Sequence, residues 1–397
     1  MTHAARRPPI VLAYAAFILV GISAGISGVL LPAQILDYGV DKATVGITFF
    51  TFSAGFMLAG ATAGQVVHRF GIRGTLATGG ALFAMAGIYT GVRPPFVVFV
   101  IVVQVVMGYG IGMLESALNA YLSEQADATT LLNRLHAFFG VGALVGPALA
   151  AWMLTSVSWT TVLLALGLAC VPMVAGFAVL YPSHPVHLAD ADGAATHDVR
   201  RGLLATALRD PGVLLGAVFL AVYVGLEISV GNWGFSFMVG HYGLRTVLAG
   251  YTISGYWLGL TVGRFVISPV ARRYGMTAAN MTMACLVGVA ASAALTWIAP
   301  VAALASVGLV LLGFFLGPIF PTLMSLVPQL TSSRLVATAV GAINGFSVIG
   351  GAVFSWMAGA IAQGHGVSTL LPFAFALAGL LLAIWWRLAR QLVTTAA

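Results

Sequence analysis

Residues 95–122, PFVVFVIVVQVVMGYGIGMLESALNAYL, hold one charged side chain, Glu115, in 28 positions. At about 1.5 Å of rise per residue, a helix of that length more than covers the roughly 30 Å of a bilayer's hydrocarbon core. The apolar residues run continuously rather than alternating, and lipid admits only structures that satisfy their own backbone groups, so the stretch reads as a spanning helix and not a barrel strand. The rest of the chain has the same character. Of its 397 residues 60% are hydrophobic and 7% charged, against roughly 25% charged in a soluble domain. A single water-soluble core and a disordered chain are both excluded.

Apolar runs bounded by charged, Pro or polar clusters mark twelve spans, about 10–32, 43–66, 75–92, 95–122, 135–156, 160–181, 212–239, 246–268, 277–298, 301–327, 335–362 and 367–386. The first follows Arg6, Arg7 and Pro8–Pro9 and is too long for the h-region of a signal peptide. With the N-terminus cytoplasmic, fourteen arginines fall on the cytoplasmic side: Arg6, Arg7, Arg69, Arg73, Arg134, Arg200, Arg201, Arg209, Arg264, Arg272, Arg273, Arg334, Arg387 and Arg390. Only Lys42, Arg93 and Arg245 fall opposite. That bias places both termini in the cytoplasm and accounts for the net charge of +7 without nucleic acid. Cys170 and Cys285 lie in apolar runs without metal-ligand or disulfide spacing, so no metal or cofactor is expected.

The polar stretch from about Tyr181 to Asp210 separates six spans from six. The domain reading is therefore a first six-helix bundle over 1–181, a cytoplasmic linker over 182–210 and a second bundle over 211–397. Sliding Val20–Gly71 by 204 residues onto Val224–Gly275 needs no gap and gives ten identities in 52 positions. Composition alone supplies part of that, but the Tyr-Gly turn (Tyr38/Tyr242, Gly39/Gly243) and the Arg-x-Gly loop (Arg69/Arg273, Gly71/Gly275) recur at equivalent span ends. An offset of 205 brings Gly108, Gly112 and Leu118 onto Gly313, Gly317 and Leu323. The fold class read from these patterns is an all-α membrane protein, twelve transmembrane helices in two pseudo-symmetric six-helix bundles. A substrate site between the halves is expected of such a duplication.

Eight of the ten acids fall in loops or at span ends, leaving Glu115 and Glu227. Carboxylates inside a membrane are costly and face protein or water, and one withdrawn from water can exchange a proton near neutral pH. Gly108, Gly112, Glu115 and Asn119 share one helical face. Glu227 lies in YVGLEISVGNWG, residues 223–234, where Tyr223 and Gly231 share its face and Asn232 and Trp233 point elsewhere unless Gly225, Gly231 and Gly234 kink the span. Structural roles fixing helix to helix are the alternative for both acids. His136 is a further candidate for a substrate hydroxyl, Tyr256 and Trp257 for stacking, Phe320 for an apolar wall, and Asn344 for an amide contact. Arg264 reads as a snorkelling residue.

These motifs resemble the major facilitator superfamily over nearly the whole chain. Gly64, His68, Arg69, Gly71 and Arg73 are similar to its Gly-x-x-x-Asp-Arg-x-Gly-Arg/Lys signature, with His68 in place of Asp. The resemblance implies a conformational lock on the cytoplasmic side, weaker or pH-sensitive here. Leu114–Asn119 and Leu132–Ala143 resemble the fourth and fifth spans of the fucose/galactose/glucose:proton symporters. By that resemblance Glu115 takes the place of the protonatable acid, Asn119 the amide one turn on, and His136 a position where a substrate-contacting Gln stands. The acid of the family's first span has no counterpart in Val20–Val29. Either Glu115 works alone or Glu227 supplies the second group.

The expectation is a secondary active transporter in the inner (cytoplasmic) membrane, proton-coupled, taking up a monosaccharide or similar small polar solute as a monomer. Asn232 and Trp233 complete the expected solute set. The alternative is proton-driven efflux of an amphipathic compound, for which Phe314, Phe315 and Phe320 suit the cavity. An enzyme or receptor is disfavoured, because no catalytic set, metal cluster or phosphate loop appears.

Overall fold

In this computed structural model the residues described are 7–182 and 197–396. Among them every regular element is helical. The chain divides into two compact units, Met1–Ala191 and Asp192–Ala397. The first holds α1 (Arg7–Tyr38), α2 (Lys42–Gly91), α3 (Val97–Ser123), α4 (Ala128–Met153) and α5 (Trp159–Leu180). The second holds α6 (His197–Arg209), α7 (Pro211–Tyr242), α8 (Thr246–Arg273), α9 (Ala278–Ile298), α10 (Ala302–Leu316), α11 (Ile319–Leu330), α12 (Val336–His365) and α13 (Leu370–Ala396). Most of the linker's polar stretch, 183–196, lies outside the described residues.

Ten helical stretches are long and apolar enough to cross a membrane. The 50-residue α2 is one of these ten but supplies two spans, and the less apolar α8 supplies another, which makes twelve among the described residues. Two boundaries differ from the hydropathy reading. The loop expected between about 66 and 75 is reduced to a break at Gly71, whose non-helical backbone (φ 69, ψ 173) only glycine adopts freely and which divides α2 into two helices. The tenth span, expected over 301–327, is one stretch, Ala302–Leu330, but its hydrogen-bond ladder is interrupted between α10 and α11 at Gly317-Pro318, where the backbone stays in the right-handed helical region. Hydropathy counts apolar residues, and a single strained residue or a proline leaves that count unchanged.

Helix pairing repeats between the units. In the first, α1 packs on α4, and α2 packs on α3 and α5; in the second, α7 packs on α12, α8 on α10, and α9 on α13. The repeat extends to individual residues. A Cβ at Gly55 would strike the carbonyl oxygen of Val105, and one at Gly259 that of Val310. Gly108 stands in the same relation to Phe52, and Gly313 to Tyr256. Small residues thus bring the backbones of α2 and α3, and of α8 and α10, into contact, the packing that lipid-embedded helices depend on. At the span ends the Tyr38 hydroxyl donates to Pro94 O at 2.9 Å, and the Tyr242 hydroxyl donates to Ala299 O at 2.8 Å. Gly39 and Gly243 take left-handed φ values of 61 and 63, and Gly71 and Gly275 take 69 and 67. Equivalent residues meet equivalent partners, so the weak identity at offset 204 marks a structural duplication.

Candidate functional site

Glu115 sits on α3, one turn beyond Gly112, which abuts Ala59 and Phe56 of α2. The glycines of this face let α2 approach, and Glu115 and Asn119 follow them half-buried. The Asn119 side-chain amide donates to the Glu115 backbone carbonyl at 2.8 Å. The Glu115 carboxyl group has no hydrogen-bond or ion-pair partner among the described residues. An acid in that situation has both oxygens available to a proton or a solute.

His136 is exposed on α4, with its ring edge-on to Phe17 of α1 at 5.6 Å. Beside it Tyr14 stacks on Phe138 at 4.8 Å, and the buried Tyr14 hydroxyl has no partner. Of the signature residues, Gly64, His68 and Arg69 are exposed, and the Arg69 guanidinium lies 5.4 Å over the Phe70 ring. Arg73 is spent inside the first unit. Its Nε donates to Tyr181 O at 2.7 Å, and the Tyr181 hydroxyl donates to Pro9 O at 2.7 Å, which ties the start of α1 and the α2 segment just past Gly71 to the end of α5.

In the second unit Glu227 is enclosed and partnered. Arg264 Nη2 of α8 lies 4.0 Å from Glu227 Oε1. Arg264, read from the sequence as a snorkelling residue, is exposed and also faces this carboxyl group. A buried carboxylate draws a nearby guanidinium inward, because unpaired charge is costly in a low-dielectric setting. The Tyr256 hydroxyl donates to the Glu227 backbone carbonyl at 2.9 Å.

α7 runs as one helix through its glycines, which face neighbouring side chains: Phe354 at Gly225, Trp257 at Gly231 and Ile253 at Gly234. Asn232 and Trp233 turn to α12, where Asn232 Nδ2 donates to Ser355 Oγ at 3.0 Å and Trp233 Nε1 to Ser355 O at 2.8 Å. Trp257 is buried with its indole N–H unpartnered. Phe320 is half-buried, its ring 6.4 Å from that of Tyr223. Asn344 is exposed on α12 between Gly341 and Gly345, both of which open onto free space.

The structure thus brings Glu115 and Asn119 together on one helix, and Glu227, Tyr256 and Trp257 together across α7 and α8. The sequence reading missed a cluster at the span ends of the first unit, in which Asp37 accepts from Arg93 Nε at 2.8 Å and from Trp159 Nε1 at 3.0 Å. It also missed Ser355 as the anchor for α7. Ser355 is an unremarked residue in an apolar helix, and nothing in its own surroundings signals a partner 122 positions away.

A family model described as Major Facilitator Superfamily matches residues 13–355. The chain belongs to the Major Facilitator Superfamily. It is accordingly a multi-pass membrane transporter and not an enzyme. Bypass of stop codon protein 6 of Saccharomyces cerevisiae is 23% identical over 406 residues, spanning 93% of this chain and 80% of that protein. A Multidrug resistance protein B homolog of Mycobacterium tuberculosis is 30% identical over 138 residues, 33% of this chain and 24% of its own. Among solved structures, the nucleoside transporter NupG superposes with a TM-score of 0.75 at 16% identity, covering 97% of this chain and 98% of that one. A D-xylose-proton symporter superposes at 0.74 and 14% identity, covering 96% and 97%. At these identities the likeness is one of fold.

Proposed function

We propose that this transporter is a proton-coupled symporter that takes up a monosaccharide or similar small polar solute by alternating access. The observation that carries the reading is the half-buried, unpartnered carboxyl group of Glu115. A coupling group must bind and release a proton within one cycle, and a carboxylate locked in an ion pair resists that exchange. Asn119 supplies hydrogen-bonding capacity one turn away, and Trp257 an aromatic face with a spare N–H. His136 and Asn344 add exposed polar groups, while Glu227 stands as the second candidate acid. One titrating carboxyl suffices energetically, since a proton gradient supplies about 1.4 kcal/mol per pH unit and about 2.3 kcal/mol per 100 mV. The arginine bias supports an inner-membrane orientation with both termini cytoplasmic.

A second reading, proton-driven efflux of an amphipathic compound, is favoured by the 30% identity to the multidrug resistance homolog over a third of the chain. Phe314, Phe315 and Phe320 are half-buried apolar surface of the kind such cargo contacts.

Purified protein in proteoliposomes decides between the two. Labelled hexoses, pentoses and polyols are offered with an imposed pH gradient, and an amphipathic dye is preloaded in parallel. Uptake of one sugar that rises with the inward gradient supports the symport reading. Dye extrusion without sugar uptake supports efflux, and indifference of both to the gradient removes proton coupling.

A further inference from the structure

The interruption of the tenth span frees backbone carbonyls in apolar surroundings. Pro318 has no N–H for the carbonyl of Phe314, and Pro321 has none for that of Gly317. A carbonyl left bare in hydrocarbon is costly, so broken membrane helices persist only where neighbours take up the freed groups.

The Phe314 carbonyl accepts from Gly317 N at 3.3 Å, and Arg264 Nε on α8 donates to Gly317 O at 3.3 Å. Beside it the Tyr223 hydroxyl on α7 donates to Leu316 O at 2.9 Å. The Arg264 contact leads back to Glu227, whose Oε1 lies 4.0 Å from Arg264 Nη2. The carboxylate is the enclosed member of the ion pair, its side chain 11% exposed against 37% for Arg264. Tyr256 adds a tie between α7 and α8 at this level through the Glu227 carbonyl. The break cannot draw away from α8 without breaking backbone contact, because Gly317 abuts Leu260 and Arg264 directly.

We propose that Glu227 is a positioning residue for the break in the tenth span. It orients Arg264 onto the carbonyl of Gly317, and so sets whether α10 and α11 behave as one rod or as two hinged segments. The role does not depend on which solute is carried or on proton exchange at Glu115. It requires only that the tenth span change shape during transport.

Hydrogen–deuterium exchange on the full chain in lipid nanodiscs tests this without a solute. Glu227→Gln and Arg264→Gln are each expected to raise deuterium uptake at residues 314–324 at least threefold, with α3 peptides at the wild-type level. Arg264→Lys is expected to restore part of the protection. Glu227→Gln combined with Arg264→Gln is expected to match Arg264→Gln alone, as groups acting in series do. Unchanged uptake at 314–324, or a rise shared equally by all helices, overturns the proposal, and so does a further increase in the double variant. Should Glu227→Gln not fold, Arg264→Gln and its partial rescue by Arg264→Lys decide on the same criteria.

Discussion

The Asn119 side-chain amide donates to the Glu115 backbone carbonyl at 2.8 Å, one turn back along α3. The amide is thereby tied to its own helix and leaves the Glu115 carboxyl group unengaged. Glu227 has the opposite surroundings, with the Arg264 guanidinium 4.0 Å from its carboxyl oxygen. Two acids that look alike in sequence are an open group and a compensated one.

Glu115→Gln keeps the shape of the side chain and removes the exchangeable proton. Gradient-driven accumulation in proteoliposomes should fall from about tenfold per imposed pH unit to equilibration, since one unit of gradient is about 1.4 kcal/mol. Solute exchange without a gradient should persist. Accumulation that still follows the gradient in this variant would remove Glu115 from coupling.

The glycines between α2 and α3 and between α8 and α10 allow no side chain. Gly55→Val and Gly259→Val each force a branched group onto a backbone carbonyl, and overpacking of this kind costs about 1–3 kcal/mol. Gly60→Ala and Gly341→Ala point into open space and should stay within about 0.5 kcal/mol. Thermal unfolding in detergent compares the four variants, and equal melting temperatures would contradict the close packing.

Gly71 makes a different demand, because its φ of 69 and ψ of 173 lie where side chains strain the backbone. Gly71→Ala should cost about 1–3 kcal/mol. Gly74→Ala, three residues on in ordinary helix, should cost less, although its Cβ would touch that of Phe70 at 3.0 Å. The ordering of the two melting temperatures is the measurement, and its reversal would refute the kink.

Asp41 caps α2, accepting from Thr44 N at 2.6 Å, and that hydrogen bond holds its carboxyl below the ordinary 3.8. A lowered folded-state value means the stabilisation is present above the ordinary value and is lost as pH falls through the lowered one. Asp41→Asn keeps an acceptor oxygen and loses the charge. The wild type's advantage over Asp41→Asn in melting temperature should shrink between pH 6 and pH 3. A gap that ignores pH would show that the cap does not depend on the carboxylate.

Much of the fold was legible because lipid leaves few choices: an apolar run of sufficient length must be a helix, and the arginines sort its ends. The internal repeat was legible at turns, where Gly39 and Gly243 require left-handed backbone. Continuity was not legible. Gly71 turns the chain between two helices within one residue where a longer loop was expected, and Gly317-Pro318 interrupts the hydrogen-bond ladder of a span that looked regular. The two acids stood out by scarcity, but the inward turn of Arg264 and the turn of Asn232 and Trp233 to Ser355 could not be read, because those partners lie on other helices.

By itself the chain's sequence determined how many times it crosses the membrane, that its halves are related, and which carboxyl groups lie within the spans. Each follows from local chemistry, the length an apolar run must have and the spacing that puts residues on one face of a helix. Only the tertiary structure decided which of those carboxyl groups is met by a cation and which is left open. That depends on which helix packs beside which and at what rotation, and those are set by glycine contacts between residues dozens of positions apart.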